Sequence, residues 1–89
     1  MAQNYATKYK NGAAREYRIM KKLEAEGWFC IRSAGSHSPI DIIALKRNFL
    51  LGELLIKFIQ SKKTGYLSPQ ERAEKEELEK KLGIIIEVM

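Results

Sequence analysis

The sequence predicts an α/β fold, with a central mixed sheet flanked by helices in the order αβββαβ. Three observations carry this. The first third of the chain places apolar residues at helical spacing. The middle holds short β-branched and aromatic runs separated by turn residues. A helix-start signal at Ser68 then precedes a charged stretch and a last apolar run.

Residues 1–10 are polar and lysine-containing, and read as a flexible basic arm. Gly12 opens a helix to about Glu26, with Ala13, Tyr17, Met20 and Leu23 on one face. Gly27 is a natural C-terminal stop. Residues 28–32 read as a strand, and residues 33–39 (SAGSHSP) as a loop of small turn-forming residues. Residues 40–45 (IDIIAL) form an apolar strand expected to be buried on both faces. A turn at Asn48 or Gly52 leads into a long strand over about residues 54–62. Ser68 supplies an N-cap, Pro69 fits the first helical position, and Glu71 completes a capping box. That helix runs to Leu82 and stops at Gly83, and residues 84–89 close the fold as a strand.

The 89 residues form one domain, 1–89. A chain this short buries a modest share of its surface, so a homodimer would supply missing burial. The 45% apolar content suits a globular protein. No apolar run reaches the ~20 residues that a membrane span needs, and residues 1–10 lack a signal peptide's apolar core. The lone Cys30 can form no internal disulfide, so an intracellular, reducing location is expected. The formal charge is +5, with nine Lys/Arg against four Asp/Glu in residues 1–50 and seven against seven in residues 51–89. The excess cation in the first half points to a polyanion-facing surface.

Sequence rules fail most often at functional sites, and here they fail in a pattern. Asp41 sits among branched aliphatics in Ile40-Asp41-Ile42-Ile43. A carboxylate there is desolvated and needs a partner, a proton or a metal. Glu16 lies on the stripe of the first helix that Met20 and Leu23 continue. Gln60 and Lys62 share one strand face with Leu54, Ile56 and Phe58, so that face turns polar at its end. Two carboxylates, an amide oxygen and an ammonium can thus converge at one sheet edge. Hard oxygen donors suit Mg²⁺, with Mn²⁺ as a substitute, and such an ion beside a lysine suits phosphodiester hydrolysis. No second Cys or His stands at zinc-ligand spacing, and Gly35 lacks the partner glycines of a phosphate loop.

These motifs in this order resemble the PD-(D/E)xK nuclease core, and most of all the archaeal-type Holliday junction resolvases and their phage relatives. Gly12-Ala13-Ala14-Arg15-Glu16 is similar to the family's Gly-x-x-x-Glu helix start. Arg32-Ser33-Ala34-Gly35-Ser36 matches its strand end and Ser-containing loop, and Pro39-Ile40-Asp41 its Pro-Asp segment. Gln60-Ser61-Lys62, followed by Gly65-Tyr66-Leu67, looks like the Gln-x-Lys variant of Glu-x-Lys.

The resemblance implies a restriction-endonuclease-like αβββαβ core and a homodimer that makes paired symmetric nicks in four-way DNA junctions. Glu16, Asp41 and Gln60 would hold the Mg²⁺, and Lys62 would be the catalytic lysine. Lys8, Lys10, Arg15, Arg32 and Ser36 would contact DNA phosphates. No membrane and no small-molecule cofactor enter this picture. A second register, with Glu53 and Lys57 in place of Gln60 and Lys62, stays open on spacing. The alternatives are another nuclease of the same superfamily, a flap or nicking enzyme, or a non-catalytic junction-DNA-binding module whose site has decayed.

Overall fold

The computed structural model describes residues 2–33 and 38–89; within residues 2–11 it describes the helix and not the side chains. The chain is α/β, with a four-stranded mixed sheet and two helices, in the order α1 (Ala2–Ala25), β1 (Phe29–Arg32), β2 (Ile42–Asn48), β3 (Glu53–Gln60), α2 (Pro69–Leu82) and β4 (Ile86–Val88). The strands lie side by side in chain order. β2 pairs antiparallel with both β1 and β3, and β4 is parallel to β3. Helix α2 makes the crossover that a parallel pair requires.

The first helix begins at Ala2, ten residues before the Gly12 start that the apolar spacing indicates. The expected arm of residues 1–10 is therefore helical from Ala2 onward. Its buried stripe also sits slightly differently. Leu23 is 2% exposed and is flanked by Ile19 and Met20, whereas Tyr17 is exposed. The Arg32 guanidinium lies over the Tyr17 ring, 5.0 Å from its centroid. Tyr17 thus serves as a cation platform beside the core rather than as a member of it.

Register determines which side chains meet. Arg32, Ile42, Ile59 and Glu87 stand opposite one another, as do Cys30, Ala44 and Lys57. Opposed residues share a sheet face. Ile42, Ala44 and Ile59 are fully buried on that face, and Leu23 packs on them with Trp28, Cys30 and Met89 around the margin. The other face carries Phe29, Ile31, Ile43, Leu45, Leu54, Ile56 and Phe58. Phe29, Ile31, Leu54 and Ile56 are exposed there. The expectation that residues 40–45 are buried on both faces therefore fails, since Ile43 and Leu45 are only half-buried.

The turns follow local chemistry. Asn48 Oδ1 accepts the Leu50 N–H at 3.1 Å, and Gly52 takes φ 70°, so both residues proposed for the β2–β3 turn contribute. Ser68 Oγ accepts the Glu71 N–H at 3.1 Å and Glu71 Oε1 accepts the Ser68 N–H at 2.9 Å, which completes the capping box. Gly83, at φ 66° and ψ 38°, ends α2 in the left-handed conformation that glycine tolerates best. α2 buries none of its residues. No helix among the described residues is long and apolar enough to cross a membrane.

Two substitutions test this account by urea unfolding. Leu23→Ala should cost about 2–5 kcal/mol, because a filled core position becomes a cavity. Ser68→Ala should cost about 1 kcal/mol through loss of the cap. Equal, small losses would mean that the α1–sheet contact is not the core.

Candidate functional site

The site forms at the sheet end where β1 and β3 finish and β2 begins. Asp41 immediately precedes β2, and its N–H donates to the Ile59 carbonyl at 2.8 Å, continuing the β2–β3 ladder by one step. Asp41 therefore lies beside Gln60, the last residue of β3. The chain after β3 is held by the last strand: Met89 N–H donates to the Gln60 carbonyl at 2.9 Å and Lys62 N–H donates to the Met89 carbonyl at 2.8 Å. These bonds set the direction in which residues 60–62 leave the sheet.

Glu16, Asp41, Gln60 and Lys62 line one open concavity of about 280 Å³, together with Ser38, Pro39, Ser61, Glu71 and Glu74. The four residues expected at a metal-and-lysine site are thus brought together. Glu53 and Lys57 are not. Glu53 pairs with Asn48 at the hairpin end of β3, and Lys57 lies over the Trp28 ring at 5.0 Å and meets Glu87 at 3.8 Å. The concavity thus holds Gln60 and Lys62 and not Glu53 or Lys57.

Asp41, Glu16, Lys62 and Glu71 each have an identifiable restraint. The Ser61 N–H donates to Asp41 Oδ2 at 2.8 Å. Arg15 Nε in turn donates to Ser61 Oγ at 3.0 Å. Burial pushes the Asp41 carboxyl above the usual carboxylate range; the Ser61 N–H opposes this, the Glu16 charge adds to it, and Lys62 and Arg15 oppose it. Arg32 Nε donates to Glu16 Oε1 at 2.7 Å, so an arginine expected at DNA phosphate is committed at least in part to Glu16. The Lys62 ammonium is paired with Glu71. That pairing, and after it the Ser68 N–H, holds the Glu71 carboxyl down at about 2.

Gln60 supplies the sharpest anomaly. The residue is 7% exposed, and its Oε1 is buried with no hydrogen-bond partner. Nearly all buried polar atoms in folded proteins are satisfied, so this oxygen is an exception. Glu16, Asp41 and Gln60, which line the one concavity, carry side-chain oxygens of the hard kind that Mg²⁺ takes. Among the described residues no three His, Cys, Asp or Glu side chains cluster as a ligand group, so an ion here would draw on the neutral Gln60 as well as on Asp41 and Glu16. Lys8 and Lys10 lie in the first half of α1, and their side chains, like the whole of Ser36 and His37, fall outside the described residues.

Sequence reasoning missed Ser61 and Glu71. Ser61 is 7% exposed and links Arg15 to Asp41, a role that its place between Gln60 and Lys62 could have signalled. Glu71 entered only as the capping-box residue, and that box fixes its carboxylate next to Lys62. No family model, no curated protein and no solved structure matches the chain.

The raised Asp41 carboxyl has a signed consequence for stability in EDTA. A group whose folded pKa exceeds its unfolded value stabilises below the unfolded pKa and loses that contribution as pH rises through the folded one. Asp41→Asn should therefore unfold at a higher temperature than wild type at neutral pH. The difference should vanish near pH ~3, where both chains are uncharged at this position. A variant less stable at neutral pH would show that the Ser61 bond and nearby cations outweigh burial.

Proposed function

We propose that the chain is a divalent-metal-dependent endodeoxyribonuclease with a restriction-endonuclease-like core, acting on four-way DNA junctions as a homodimer. The observation that carries this reading is the convergence of Glu16, Asp41, Gln60 and Lys62 on one concavity, with the Gln60 Oε1 buried and unpartnered. The resemblance of the Gly-x-x-x-Glu, Pro-x-Asp and Gln-x-Lys segments to the junction resolvases supports the substrate.

Asp41, Glu16 and Gln60 would hold Mg²⁺, or Mn²⁺ in its place. When bound, the metal supplies Lewis acidity toward the scissile phosphate and the attacking water. The rest falls to the chain. Water attacks phosphorus, the bond to one sugar oxygen breaks, and that oxygen takes up a proton. The Lys62 ammonium offsets the charge that grows on the phosphoryl oxygens. The Ser61 N–H keeps the Asp41 carboxylate turned toward the reaction, and Arg32 orients Glu16. A phosphate entering the concavity competes with Glu71 for Lys62.

The sheet face opposite α1 supports a dimer. Phe29, Ile31, Leu54 and Ile56 are exposed on it, with Phe49, Leu50 and Leu51 exposed at the adjoining turn. Apolar patches of this kind mark association surfaces. A two-fold dimer presents two equivalent sites to the two equivalent strands of a junction. The neutral Gln60 favours a second reading, a junction-binding module that does not cut.

Labelled four-way junction should be nicked symmetrically with Mg²⁺ or Mn²⁺ and not in EDTA, while linear duplex of the same sequence stays intact. Asp41→Asn and Lys62→Ala should each lower cleavage by at least about 10²-fold, the scale of losing one charge-stabilising group. Lys57→Ala should retain activity. Binding without cutting under every metal would establish the module instead. Sedimentation should show a dimer in the wild type and a shift toward monomer for Ile56→Glu; a wild-type monomer that still resolves junctions would remove the dimer from the mechanism.

A further inference from the structure

A second concavity lies beside the first, and its lining is cationic. Arg15, Arg18 and Lys63 line it with Ala14, around an open volume of about 260 Å³. Among the described residues no acidic side chain lines it, unlike the first concavity, where Lys62 faces Glu71. Among the described residues neither Arg18 nor Lys63 has an acidic partner. Grouped cations without counter-ions repel one another, and an anion relieves that cost.

The cleft is also tied to the first concavity. Arg15 spends its Nε on Ser61 Oγ at 3.0 Å, and the Ser61 N–H reaches Asp41 Oδ2 at 2.8 Å. One serine therefore separates the cationic cleft from the Asp41 carboxylate. Arg18 follows Arg15 by one helical turn, on the same side of α1. Lys63 follows Lys62, whose ammonium faces Glu71 across the other concavity. Residues 61–63 thus form the wall between the two. Among the described residues the lining holds no aromatic ring, so it lacks a platform on which a base could stack. Guanidinium and ammonium groups without such a platform suit a phosphate rather than a nucleobase.

We infer that Arg15, Arg18 and Lys63 form a phosphodiester subsite that seats a backbone phosphate of the same DNA strand next to the scissile one. This rests on the nuclease reading above and deepens it by giving the strand a direction past Asp41. Arg18 and Lys63 act in binding, not in the chemistry. Their contribution is sequence-independent and salt-dependent, since each neutralised phosphate releases counterions.

The test is fluorescence anisotropy of a labelled four-way junction in EDTA across a NaCl series. Wild type, Arg18→Ala, Lys63→Ala and the double variant are compared, with Arg47→Ala as a control. Arg47 is exposed near the hairpin turn, where its Nη1 donates to the Gly52 carbonyl at 3.1 Å. Each single cleft variant should weaken binding several-fold and reduce the slope of log K against log salt by about one, and the double variant by about two. Arg47→Ala should leave the slope unchanged. Equal slopes for wild type and the cleft variants overturn the subsite while leaving the nuclease reading intact. The same holds if Arg47→Ala lowers the slope as much as they do, because binding then follows diffuse charge. A wild type that binds no junction at any salt overturns the nuclease reading itself.

Discussion

The β2–β3 register is the constraint on which the rest depends. Ile42 stands opposite Ile59, and one step further Asp41 meets Gln60. The same register that buries Ile42, Ala44 and Ile59 under α1 thereby brings a carboxylate and an amide together at the sheet end. A slip of one residue would turn the buried set outward. It would also part Asp41 from the Ser61 N–H. Core and site share one ladder, so selection for a packed core also keeps the polar end aligned.

The polar end is a chain of paired groups rather than a set of independent ligands. Arg15 holds Ser61, Ser61 holds Asp41, Arg32 holds Glu16, and Glu71 holds Lys62. Each pairing fixes one rotamer before any ligand arrives, and preorganisation of this kind lowers the reorganisation needed during reaction. Gln60 is the exception, buried without a partner for its oxygen. The neutral amide also keeps the site from gathering another like charge next to Glu16 and Asp41, where each additional carboxylate would be held further from ionisation.

Much of this was legible in the sequence because it is local. The capping box at Ser68, the stop at Gly83 and the strand segments are set by neighbours a few residues away, and they formed where the chain indicated. The grouping of Glu16, Asp41, Gln60 and Lys62 was legible because polar residues interrupt apolar patterns. What escaped depends on contacts distant in sequence. Tyr17 fits the apolar spacing but stands outside the core, because Ile19 and Met20 fill the space over the sheet. The one-sided burial of β2 was hidden too, since Ile43 and Leu45 look like core residues but are only half-buried. Ser61 and Glu71 were missed because a serine N–H and a cap glutamate gain their meaning from residues that folding brings to them.

The capping glutamate also carries a thermodynamic coupling. Glu71 gives one oxygen to the first turn of α2 and the other to Lys62. α2 has no buried residue to anchor it, which is the condition under which a segment opens locally at low cost. Whenever its first turn frays, the lysine loses its tether. The orientation of Lys62 therefore inherits the helix–coil equilibrium of a surface helix. Warming or mild denaturant should loosen that ammonium well before the sheet gives way.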